Sequence, residues 1–172
     1  AKQTGATVLC SVELGMELVA EGAPEGQVVA FNIGGSHTTH GVTATLVQAF
    51  HSSSGATADG HPREIGTPCG FVLECPRDLV IYNTGDTGVF GDMALIAEMY
   101  HPGILMLPIG DFYTMGPRQA AKACELVQPR WIVPQHYATF PGLPGTPEEL
   151  KRHLPPALQG RVLTPAPGET IR

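Results

Sequence analysis

The sequence predicts an α/β fold in which helices pack on a mixed sheet. Three observations carry that expectation. Apolar runs of strand length recur along the chain, stretches of helical periodicity separate them in the C-terminal half, and the N-terminal half reads mainly as strands joined by turns. Two strand–helix–strand steps that follow an antiparallel meander imply a sheet that is part antiparallel and part parallel.

Taken in order, "TGATVLC" reads as a short strand. Ser11 then caps a helix running to about residue 21, with Leu14 and Leu18 on one face and Gly22 as its stop. "VVAFN" and "VTATLVQAF" are strands on either side of "IGGSHTTHG", whose glycines and short polar residues make it a hairpin-like connection. Residues 52–68, rich in Gly, Ser, Ala and Pro, predict a long surface loop that could act as a lid. "GFVLEC" and "LVIYNTG" form a strand pair around "PRD". Phe90, Met93, Ala97 and Tyr100 then recur at helical spacing, with Asp92 in the first turn, where the helix dipole favours an anion. Strand "ILMLPI" leads through "GDFYTMG" to a helix opened by Pro117. "RWIVP" is the last strand, ended by Pro134 so that "QHYATFPG" emerges as loop, and "TPEEL" is a capping box for a final helix to about residue 154.

Residues 1–172 are enough for one domain with a real core. A formal charge of −6 without any Lys/Arg cluster argues against a nucleic-acid partner, because neutralising phosphates needs a basic patch. No apolar run approaches the ~20 residues of a spanning helix, and the start "AKQTGATVLC" lacks the apolar core of a signal peptide, so neither a membrane nor export is expected and the location reads as cytoplasmic. Cys10, Cys69, Cys75 and Cys124 contain no C-x-x-C pair and read as structural thiols. "AKQTGA" itself reads like the end of a helix entering a strand, which points to a domain whose first part lies upstream.

His51, Asp86 and His136 each follow a strand directly, and each is trailed by small or polar residues: "FHSSSG", "TGDTGV", "QHYATF". Residues just beyond strand ends at one edge of an α/β sheet converge on one cleft. Two imidazoles and a carboxylate suit Zn²⁺, Mn²⁺ or Fe²⁺. Taken singly, His51 and His136 could be strand-end histidines, and Asp86 an ordinary turn residue bonded to its own backbone. "HTTH" (His37 to His40) has the wrong spacing for a ligand pair and reads as solvated turn, while His61 and His101 are expected on the surface.

"NIGGS", "AFHSSS", "GDTGVFGDMALIAE", "LPIGDFYTMGP" and "QHYATFP", in this order, resemble the metal-dependent hydrolases of the metallo-β-lactamase superfamily, close to the branch containing ascorbate-6-phosphate lactonase. The resemblance runs from about Gly5 to Glu169. It implies an αββα sandwich, represented here by its C-terminal portion, with one or two divalent metal ions, Zn or Mn, on one sheet edge. By the same resemblance His51 and His136 are metal ligands, and Asp86 is the carboxylate that bridges the metals and orients the catalytic water. Asp111, Thr114 and Asn83 are expected behind the ligands or against the substrate, and Asp111 could fix His136 from behind. Asn83 stands where many members carry a histidine.

The H-x-H-x-D-H motif that supplies most ligands in that superfamily does not occur in the chain. Two readings follow. One is a hydrolase of a small ester, lactone or phosphoester whose remaining ligands come from a missing N-terminal half or from another copy in a homo-oligomer. The other is a non-catalytic binding or scaffold module that has lost the metal motif and keeps the fold.

Overall fold

The computed structural model describes residues 1–57 and 59–170. Its centre is a six-stranded mixed sheet. Strand β1 (Val8–Cys10) leads into helix α1 (Val12–Ala20), a 3-10 turn (Glu25–Gln27) and β2 (Val28–Ala30), which lies parallel to β1 in a two-stranded sheet of its own. The main sheet collects β3 (Ser36–Thr39), β4 (Val42–Gln48), β7 (Cys69–Cys75), β8 (Leu79–Asn83), β9 (Ile104–Pro108) and β10 (Trp131–Gln135) in the order β10-β9-β8-β7-β4-β3. Between β4 and β7 comes a small hairpin of β5 (Ser54–Ala56) and β6 (Pro62–Glu64). Pairing is antiparallel from β3 to β8 and parallel from β8 to β10, as a meander followed by two β-α-β steps requires.

The crossover helices are α2 (Met93–Tyr100) and α3 (Pro117–Val127), followed by α4 (Pro147–His153) and α5 (Pro156–Gln159). They cover one face of the sheet. Val72, Tyr82, Leu105, Leu107 and Ile132 point from that face into a core closed by Met93 and Ile96 of α2 and by Ala120, Ala123 and Cys124 of α3. Alternation along each strand selects these positions. The run of small residues on α3 lets that helix sit close to the sheet, and Thr146 starts α4 by accepting the backbone N–H of Glu149 at 3.2 Å.

Several local expectations are corrected. Residues 36–39 are a strand rather than part of a loop, because Ser36 and Thr38 bond across to Thr45 and Thr43 at 2.7 and 2.8 Å; the hairpin turn is His40-Gly41, both left-handed. The stretch expected as a long loop folds into the β5–β6 hairpin and is tied to α1 by an ion pair between Arg63 and Glu17. Helix α1 buries Gly15 and leaves Leu14 exposed, and Ser11 occupies the cap position without its side chain accepting a helix N–H.

Pro134 does not end β10, which runs on to Gln135. The N–H of Ile132 points away from β9 to the carbonyl of Arg161 at 2.9 Å. Two residues on, the nitrogen of Pro134 faces the same way, so the missing donor falls on the edge side and breaks no bond to β9. No helix among the described residues is long and apolar enough to cross a membrane.

Candidate metal centre at the strand ends

Asp86 and His136 meet at the ends of β8 and β10. His136 Nε2 stands 3.5 Å from Asp86 Oδ2, with both side chains partly open to solvent. Each is aimed by an unusual piece of backbone. Gly85, at φ +64°, turns the chain out of β8, and a Cβ there would come within 2.5 Å of the carbonyl oxygen of Cys69. His136 itself has φ +53°, a conformation that costs an L-residue about 1 kcal/mol and turns its side chain off the line of the strand. Gly110 permits the approach of that turn, since a Cβ there would run into the His136 carbonyl.

Hydrogen bonds between the loops fix this geometry. Asn83 Oδ1 accepts from the N–H of Gly85 and from Nε2 of Gln135, both at 3.1 Å, joining the residues that lead into Asp86 and His136. Thr87 is fully buried and bonds in three directions: its hydroxyl accepts the N–H of Phe50 at 2.9 Å and donates to the Gly88 carbonyl at 2.8 Å, and its own carbonyl accepts the N–H of Met115 at 3.1 Å. The ends of β4, β8 and β9 are thereby stitched together around one residue. Neither Thr87 nor Gln135 was expected from the sequence. The available signal was a hydroxyl placed directly after the turn carboxylate, a common turn-forming pattern.

His51 is adjacent in the backbone, yet its side chain does not complete a triad. Its Nδ1 lies 2.8 Å from the Ser52 carbonyl, and it lines a separate cavity of about 550 Å³ with Glu13, Ser53 and Glu64. Among the described residues no group of three or more His, Cys, Asp or Glu side chains is arranged to hold one ion. Of the three expected ligands, Asp86 and His136 stand together and the His51 ring is turned to the Ser52 carbonyl. Asp111 does not hold His136 from behind. It spends its Oδ1 on the N–H of Phe112 at 2.8 Å, and His136 Nδ1 is buried with no partner. Thr114 Oγ1 is likewise buried and unpartnered. His61 is exposed beside Asp59, 3.8 Å away, and His101 is exposed at the left-handed end of α2.

The two-donor set fits part of a metal site. Two ligands at about 2.0 Å on one tetrahedral ion lie roughly 3.3 Å apart, close to the observed 3.5 Å. A structural or catalytic zinc takes at least three protein ligands, so the pair needs further donors.

Comparison with known proteins identifies the relationship. Residues 2–136 match a family model described as "Beta-lactamase superfamily domain". A UPF0173 metal-dependent hydrolase of Herpetosiphon aurantiacus is 48% identical over 154 residues, which are 90% of this chain and 64% of the relative; one from Chloroflexus aurantiacus is 43% identical over 99% of the chain and 70% of its own length. The chain thus spans about two thirds of the relatives it matches. Among solved structures, Igni18, a metallo hydrolase from Ignicoccus hospitalis, superposes with a TM-score of 0.84 at 34% identity over 99% of this chain and 70% of that one. The fold is the α/β metallo-β-lactamase fold, and the chain belongs to the UPF0173 metal-dependent hydrolases of the metallo-β-lactamase superfamily.

Proposed function

We propose that the chain supplies part of the active site of a hydrolase that cleaves a small ester, lactone or phosphoester, with the remaining metal donors lying outside the described residues. The observation that carries this reading is the Asp86–His136 pair at tetrahedral ligand spacing in a member of a metal-dependent family. When bound, a divalent ion such as Zn²⁺ or Mn²⁺ supplies Lewis acidity and a hydroxide at neutral pH. Asp86 would hold that cation through its carboxylate and would orient the water that attacks the substrate. His136 would be its second ligand, through the Nε2 that faces Asp86. His51 is the third donor in this reading, since the Phe50–Thr87 bond holds its backbone beside Asp86 and a change of side-chain rotamer reorients the ring.

Asn83, through Gln135, keeps Asp86 and His136 in register. Thr114, whose buried hydroxyl has no partner, stands behind the ligands or against the substrate in this reading. The lactonase-like branch is favoured by the "GDTGVFGDM" and "PIGDFYTMGP" blocks. Four free thiols suit the cytoplasm, and the acidic balance favours small molecules over nucleic acid.

Elemental analysis of the purified chain tests the incomplete-site reading. Substoichiometric Zn and Mn are expected, with hydrolysis of aryl esters near the uncatalysed rate. Near-stoichiometric metal that is lost on His51→Ala would contradict it. The two-donor count also keeps a second reading, a non-catalytic module of the same fold. The two separate in a chain extended to the length of the relatives: metal-dependent turnover supports the hydrolase, and full metal loading without turnover of any ester supports the module.

A further inference from the structure

All four aromatic side chains that stand exposed among the described residues lie on loops at the sheet edge where Asp86 and His136 meet: Phe50 after β4, Phe112 and Tyr113 after β9, and Phe140 after His136 itself. They form two groups. Tyr113 packs edge-on against Phe112 at 4.7 Å between ring centroids and reaches Phe140, in the loop after His136, at 6.2 Å. Phe50, directly before His51, packs edge-on against Phe90 at 5.2 Å on the β4 side. Exposed phenyl rings gain nothing for folding, and the first group is presented at a cost. Asp111 and Phe112 are consecutive left-handed residues, φ +66° and +59°, held there by the Asp111 carbonyl accepting the N–H of Tyr113 at 2.6 Å and its carboxylate accepting that of Phe112. Backbone strain that lifts an apolar ring into water is retained where the ring meets a ligand.

Resting on the hydrolase reading above, we propose that the site selects substrates with a flat aromatic group next to the scissile bond. Phe112, Tyr113 and Phe140 stack on that group. Edge and face contacts with two or three rings favour an aromatic ligand over an aliphatic one of similar polarity.

Isothermal titration of the 172-residue chain with benzoate, cyclohexanecarboxylate and acetate tests this without needing turnover. Benzoate is expected to bind about tenfold more tightly than acetate and severalfold more tightly than cyclohexanecarboxylate. Phe112→Ala and Phe140→Ala, both at exposed positions, each remove most of that preference, and Phe112→Leu restores little of it. Equal affinities for the three acids, or no measurable benzoate binding at 10 mM as an order-of-magnitude limit, overturn the proposal. So does a benzoate affinity untouched by both alanine variants when the same variants convert a dimer into a monomer in sedimentation, because the rings then serve self-association. A benzoate preference in a chain of full relative length that hydrolyses nothing keeps the aromatic subsite and sinks the hydrolase reading, so the two failures are distinguishable.

Discussion

The Thr87 hydroxyl accepts the backbone N–H of Phe50 at 2.9 Å, so the residue after one candidate ligand holds the residue before another. This bond joins the ends of β4 and β8. Removing it leaves a half-buried N–H without an acceptor. Thr87→Val is therefore expected to lower stability by about 1–3 kcal/mol. Thr87→Ser, which keeps the hydroxyl, should cost clearly less. Urea denaturation of the two variants gives the comparison, and a Thr87→Val as stable as wild type, with the loss confined to Thr87→Ser, would show that packing of the methyl group, rather than the bond, is what matters.

Gly85→Ala places a side chain at φ +64° and against the Cys69 carbonyl. A loss of about 1–3 kcal/mol is expected from the two strains together. The turn must shift to admit the methyl group, so backbone amide resonances of residues 84–87 should move with it. A wild-type melting curve for this variant would show that the turn does not need glycine.

Alkaline stability follows from the interior. Burial pushes the Cys124 thiol up to about 12 and the Tyr82 phenol well above its ordinary value. In the unfolded chain a thiol ionises near pH 9 and a phenol near pH 10, as an approximate reference. Above those values the unfolded state binds fewer protons than the folded state, so stability is full below about pH 9 and falls as pH rises toward the folded values. Urea midpoints measured between pH 8 and 11 should decline, and Cys124→Ala should flatten part of that decline. An unchanged slope in the variant would remove Cys124 from the account.

Asn83→Ala removes the acceptor shared by Gly85 and Gln135. The expected loss is about 1–2 kcal/mol, accompanied by weaker metal affinity because Asp86 and His136 lose their common brace. Zinc affinity unchanged in a destabilised Asn83→Ala would confine Asn83 to a folding role.

Much of this architecture was legible in the residues. Pro117 opens α3 where its fixed φ and missing N–H favour a first turn, and the 93–100 periodicity marks α2 because those side chains must reach the sheet. Strand β3 was hidden because Ser, His and Thr carry no apolar alternation; it is held by hydroxyl pairs to β4. Pro134 misled because the sequence does not show which side of the edge strand its nitrogen faces. At the site, Asp86 and His136 were readable as polar residues following apolar strands. Thr87 and Gln135 were not, since their partners lie 37 and 52 residues away. His51 shows the remaining gap: the carbonyl of its own neighbour competes for its ring, and a linear pattern does not reveal which contact wins.

Whether Asp86 and His136 act as donors to one cation is read most directly by a zinc titration of the chain followed through the imidazole ¹⁵N resonances. His136 Nε2 is expected to shift first, and this shift to disappear in Asp86→Ala while the fold is kept. Zinc-dependent shifts confined to other histidines, with His136 unmoved, would contradict it.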